Sequence, residues 1–200
     1  MIIAGAGGHA LELLDILISE GKTEGLCFFD EVNPGDLFQG KYPILHKEEE
    51  IAKAFLEDPK FILGTGNPKV RYQFYQRFTS LGGLLHSVKG RGIVFSNFST
   101  DNEADIFNLC FIGANTQIGK GCLINTGAQI HHEVVIGEFS EINPGAVLLG
   151  KAQIGSFCSI GANATILPKV KIGNNVTVAA GAVVIEDVLD GVQVAIGYRC

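Results

Sequence analysis

Several things are scarce in this sequence. Of its five cysteines, no two form a Cys-x-x-Cys pair. That pattern points to free thiols in a reducing compartment, the cytoplasm, rather than to a disulfide framework. No apolar run is long enough to span a bilayer, so membrane insertion is not expected. Residue 1 already opens a strand-like apolar run, Met1-Ile2-Ile3-Ala4, which leaves no signal peptide to read. Positive charge is also short: 15 Lys and Arg stand against 21 Asp and Glu, a net charge of −6. A general nucleic-acid binder is thereby disfavoured. An anionic small ligand is not, because main-chain amides at a helix N-terminus hold phosphate without net basic charge. With 46% hydrophobic and 18% charged residues the chain is globular, and 200 residues allow one large domain or two modest ones.

What the chain has in quantity is a six-residue period. Every sixth residue from Ile106 to Val184 is Ile, Leu or Val, with no insertion or deletion. Two residues before each stands a small or β-branched one, from Ala104 to Ala182; Cys110, Cys122 and Cys158 occupy such places. Gly follows the aliphatic residue at Gly113, Gly119, Gly137, Gly155, Gly161 and Gly173. This is a hexapeptide repeat, the mark of a parallel β-helix. Both kept positions point inward, three units make one coil, and residues eighteen apart stack. Burying each large aliphatic side chain stabilises by roughly 1.5–3 kcal/mol. Gly is expected at the corners for its tolerance of backbone angles that a Cβ forbids. Val88 and Val94 keep the phase and Thr100 breaks it, so an irregular first coil is expected from near Val88. Leu189 to Cys200 reads as a short tail.

Residues 1–85 alternate strand and helix. Strands are expected at Met1–Ala4, Leu26–Phe29 and Phe61–Leu63, and helices at Ala10–Ile18, Lys47–Leu56 and from Pro68 to about Leu81, the last capped by Asn67. Glu31 to Lys41 reads as loop. The fold class is therefore an α/β N-terminal domain, a Rossmann-like small parallel sheet over residues 1–85, followed by an all-β parallel β-helix domain over 86–200.

Two stretches can carry chemistry. In the first, Gly5-x-Gly7-x-x-Ala10 lies between strand and helix, with Asp30 about twenty residues on, as in the dinucleotide-binding fingerprint. The segment is short for a complete dinucleotide fold, so the phosphates of a nucleotide-linked ligand are the better match, with a bare structural turn and an NAD site as alternatives. His9, Asp30, Glu31 and Gly66 fall at strand carboxyl ends, where parallel sheets bind ligands. In the second, His131-His132-Glu133 are at a corner of the repeat. A corner imidazole beside a carboxylate can act as general base, or can be a solvated polar corner. Zinc needs at least three protein ligands, and the repeat carries histidines at one corner only, so no metal is expected.

Together these motifs resemble the hexapeptide-repeat sugar acetyltransferases, in the branch holding bacillosamine and perosamine N-acetyltransferases and sialic acid O-acetyltransferases. The likeness covers nearly the whole chain and rests on Gly5-Ala6-Gly7-Gly8-His9, Asn125-Thr126-Gly127 leading to His132-Glu133, Val135 to Ser140, Ile160 to Ala164 and Ala180 to Val184. The resemblance implies a left-handed β-helix, a homotrimer, and acetyl-CoA as co-substrate in a groove between neighbouring β-helices. It implies His132 as general base and Glu133 as its support. Gly7, Gly8, His9, Asp30, Glu31 and Gly66 match nucleotide-sugar positions, and Ala162 and Ala180 match coenzyme positions. Two places depart from the pattern: Glu141 stands where some relatives have a second His that contacts coenzyme or substrate, and Ala195-Ile196-Gly197-Tyr198 replaces a Gly-x-Pro-Ala-like run. The expected reaction is direct acetyl transfer, without an acyl-enzyme, to the amine of a nucleotide-linked amino-deoxy-sugar, UDP-4-amino-sugar type first. Sugar O-acetylation, a non-catalytic trimeric nucleotide-binding scaffold and an NAD-dependent oxidoreductase are the alternatives.

Overall fold

The computed structural model describes residues 1–195. Ile196-Gly197-Tyr198 and the terminal Cys200 lie outside the described residues. The chain divides into two units: Met1–Gly66 with Val70–Val88, and Asn67–Lys69 with the chain from Lys89 onward. Among the described residues no helix is long and apolar enough to cross a membrane.

In the first unit, β1 (Ile2–Ala4) leads to α1 (Gly8–Ser19), β2 (Cys27–Phe29), β3 (Leu37–Phe38), β4 (Tyr42–Leu45), α2 (Glu48–Phe55), β5 (Lys60–Leu63), α3 (Pro68–Ser80) and β6 (Leu84–Leu85). The sheet order is β3-β4-β2-β1-β5-β6. β1 is central, parallel to β2 and β5, and its residues are fully buried, which is why the sequence reads there as an unbroken apolar run. Asn67 Oδ1 accepts from Lys69 N at 3.0 Å, so the expected cap on α3 forms. One expectation fails. Part of Glu31 to Lys41 is not loop, because β3 pairs antiparallel with β4 through a turn at Gln39 and Gly40. The two-residue β3 is too short to show a period.

The second unit is a left-handed parallel β-helix. Two-residue strands stack into three sheets. The first runs from Val94–Phe95 to Val183–Val184, the second from Thr100–Asp101 to Lys171–Ile172, and the third from Asp105–Ile106 to Gln193–Val194. Partners are eighteen apart in the regular part, as in Ile124↔Ile142 and Ile130↔Leu148. The aliphatic and small positions all lie in one buried core.

Three details correct the expectations. First, the first coil is out of phase by one: Phe95 pairs with Ile112 and Asp101 with Ile118, while Val94 is 60% exposed. The inward places at this end go to Lys89, Phe95 and Asp101, and Lys89 Nζ lies 2.6 Å from Asp101 Oδ1. Second, the coils continue to Val194 instead of ending in a tail. The partner spacing shortens to sixteen, with Ile172↔Val188 and Thr177↔Gln193. Third, the repeat glycines are not where the backbone is left-handed. Positive φ recurs every sixth residue at a different place, including Asn115, Glu133, Lys151 and Lys169. Gly113 and Gly119 are needed for a steric reason: an added Cβ would lie 2.8 Å from His132 N and 2.7 Å from Glu138 N of the next coil. Close stacking of main chain sets the glycine there, not conformational freedom.

Candidate active site

The corner that carries His131, His132 and Glu133 joins the strand Gln129–Ile130 of the first sheet to Val135–Ile136 of the second. Glu133 takes the left-handed corner conformation, with φ +60. Its side chain and that of His132 point outward, with exposures of 44% and 59%. His132 Nδ1 lies 3.1 Å from Glu133 Oε1. A carboxylate only accepts, so Nδ1 carries a proton, and in the neutral ring the lone pair is on Nε2. Glu133 Oε2 faces Lys151 Nζ at 3.4 Å. Hydrogen bonding from His132, with help from Lys151, holds the Glu133 carboxyl below its usual range and keeps it charged. The space beside the ring is left by Gly150 of the next coil: a Cβ there would lie 2.6 Å from His132 Cε1 and closer still to Nε2. His131 does not join this group. Its ring packs on Phe111, centroids 5.6 Å apart, and its carbonyl accepts from Thr116 Oγ1 at 2.9 Å.

The other expected coenzyme residues lie elsewhere on the prism. Ala162 and Ala180 stack at the corner between the third and first sheets, where Gly181 N donates to Ala162 O at 2.8 Å. Glu141 is on a strand of the third sheet and accepts from Ser159 Oγ at 3.1 Å. A single chain therefore does not bring His132 together with Ala162 and Ala180.

In the first unit a cavity of about 330 Å³ opens at the carboxyl ends of the parallel strands. Gly7, Gly8, His9, Asp30 and Glu31 line it, with Thr65 in the place expected for Gly66. Gly5 and Gly64 are forced to be glycine, since a Cβ on Gly5, at φ +120, would sit 2.9 Å from Gly64 O. Gly7 and Gly8 have nothing within 4 Å of a built Cβ and open toward space at the N-terminus of α1. His9 is lowered to about 4, first by burial and then by the charge of Arg71, so its ring is neutral at physiological pH. Arg71 is itself fully buried and donates to Leu63 O and Thr65 O at 3.0 and 2.8 Å. Asp30 serves the loops: Oδ2 accepts from Ala6 N at 3.2 Å, and Oδ1 from Val32 N and Asn33 N at 2.8 and 3.0 Å. Glu31 is gripped by both terminal nitrogens of Arg77 at 2.7 and 2.9 Å, which lowers its carboxyl. Arg71 and Arg77 escaped the sequence reading because nothing in it linked them to the site. For Gly150 and Lys151 a signal existed, since they are eighteen residues beyond His132 and Glu133. Among the described residues no three metal-ligating side chains converge.

Known proteins match both parts of the chain. The PglD N-terminal domain matches residues 1–78, and the bacterial transferase hexapeptide matches 115–150 and 151–186. PerB from Caulobacter crescentus, solved in complex with CoA and GDP-perosamine, is 26% identical with a TM-score of 0.89, covering 98% of this chain and 93% of that one. A mutant of perosamine N-acetyltransferase from the same organism, with the same two ligands, gives 25% and 0.91, covering 98% and 92%. The acetyltransferase domain of PglB from Neisseria gonorrhoeae, in complex with acetyl coenzyme A, gives 24% and 0.86, covering 96% and 93%. With both matched domains in one chain, in that order and on that fold, the chain belongs to the hexapeptide-repeat sugar acetyltransferase family, in its bacillosamine and perosamine N-acetyltransferase branch.

Proposed function

We propose that this acetyltransferase moves the acetyl group of acetyl-CoA to the amino group of a nucleotide-linked amino-deoxy-sugar, UDP-linked 4-amino-sugars first, with His132 as general base. The observation that carries the reading is the outward ring of His132, fixed through Nδ1 by Glu133 at 3.1 Å. Nε2 takes the proton as the amine nitrogen bonds to the thioester carbon. The C–S bond then breaks, and the CoA thiolate leaves with a proton returned by His132. The oxyanion formed between these steps needs a donor, for which a main-chain amide is the candidate. Gly7, Gly8 and the N-terminus of α1 suit the phosphates, with His9, Asp30, Glu31 and Gly66 around them. Glu141, Ala162 and Ala180 take the coenzyme. Since His132 and the Ala162–Ala180 corner face different ways on one prism, the cleft that holds both is formed by adjacent copies in a homotrimer.

The test is thiol release from acetyl-CoA with UDP-, GDP- and dTDP-linked amino-sugars, with His132→Ala in parallel. The expected loss is on the order of 10²–10⁴-fold. A loss below about tenfold would remove His132 as the base. Turnover with a sugar hydroxyl but no amine would replace N- by O-acetylation.

A further inference from the structure

The eighteen-residue register sets two columns along the corner that bears His132. Ala114, His132, Gly150 and Pro168 form one. Asn115, Glu133, Lys151 and Lys169 form the other, at φ +58, +60, +66 and +66. Main-chain bonds lock the columns: Glu133 N donates to Ala114 O at 2.8 Å, Lys151 N to His132 O at 3.0 Å, and Lys169 N to Gly150 O at 3.1 Å. Glu133 and Lys151 thus occupy equivalent places on successive coils, about 5 Å apart. The Glu133 carboxylate is divided between two partners, Oε1 to His132 at 3.1 Å and Oε2 to Lys151 at 3.4 Å.

We infer that Lys151 is a positioning residue that sets the basicity of His132, by competing with the imidazole for the Glu133 carboxylate. The inference rests on the reading of His132 as base. The preceding coil offers Gly113, Ala114 and Asn115 at this corner, none of them ionisable. The following coil offers Lys151 alone, and Lys169 stands one coil beyond. On its own coil His132 has Glu133 and His131. Lys151 is therefore the cation nearest the couple, and it acts in two ways that add. It draws the carboxylate's charge away from the imidazolium formed at proton transfer, and its own charge repels that imidazolium. Both favour the neutral, proton-accepting ring. The base is thereby competent at lower pH and intrinsically weaker.

Replacing Lys151 by Met should stabilise the imidazolium and move the acidic limb of the kcat/KM profile to higher pH. Two unit charges several ångströms apart in a water-like medium correspond to about half a pH unit, a roughly threefold loss of rate at the foot of the limb. Lys151→Arg should keep the original limb, and at about 1 M salt the difference between Lys151→Met and the unaltered protein should shrink. The ring of His132 is followed separately by NMR titration of the full chain, its signal identified by its loss in His132→Asn. Ring and limb moving up together in Lys151→Met support the inference. A ring that moves while the limb stays supports it too, but removes His132 as the group that limits the rate. A ring that stays put in Lys151→Met overturns it, whatever the limb does, and so does Lys151→Arg moving the ring as far as Lys151→Met.

Discussion

The ring of His132 leans on a residue that has no side chain. A methyl group at position 150 would lie 2.6 Å from His132 Cε1, well inside van der Waals contact. Gly150→Ala should swing the imidazole away and break its 3.1 Å contact with Glu133. Misplacement on that scale costs on the order of 10²-fold in rate. Steady-state kinetics should show that loss in kcat while the melting temperature stays near the original, because the corner lies outside the buried core. A Gly150→Ala protein with unchanged kcat would show that the ring is not held at this place. The imidazole–carboxylate couple itself was legible, since two adjacent polar residues interrupt a repeat of known phase. For their supports the eighteen-residue spacing places Gly150 and Lys151 at the same corner, but it does not show which side chains meet there.

Among the elements, the turn from β1 into α1 depends on a histidine that stays neutral. His9 titrates at about 4 in the folded protein against 6.5 unperturbed, through burial first and Arg71 second. The unfolded chain therefore binds a proton that the folded one refuses. Stability is complete above about pH 6.5 and falls as the pH drops toward 4, by about 3 kcal/mol in all. Urea unfolding of the full chain, followed by circular dichroism, should show this slope between pH 6.5 and 4 and a shallower one in His9→Gln. An equal slope in both would mean that other groups carry it. The helices of this unit were legible from cap and period. The β3–β4 hairpin was not, since β3 has only two residues and pairs with β4 at only two positions, which leaves no alternation to count. In the β-helix the phase slip at Phe95 and Asp101 was hidden for the opposite reason. Val88 and Val94 satisfy the six-residue count although Val94 points to solvent at 60% exposure.

For the whole molecule, the question is which copies build the cleft. His132 and the Ala162–Ala180 corner lie on different corners of one prism, so the proposed homotrimer makes a definite forecast. His132→Ala and Ala180→Trp should each inactivate, the second by filling the coenzyme groove. Mixed trimers assembled from both should regain turnover, since roughly a quarter of the clefts then receive His132 from one chain and Ala180 from the other. No recovery in verified mixed trimers would place the whole cleft on one chain. The sequence by itself determined the coil: a strict period of six puts the same side chains inward at every turn, and that requires only local geometry and burial. It also determined that an imidazole and a carboxylate would meet at an outer corner. Only the tertiary structure decided that Asp30 and Glu31 are occupied by loop amides and Arg77, and that Gly150 and Lys151 attend the base. Those partners are set by stacking of coils and convergence of loops, contacts between residues distant along the chain that no local pattern encodes.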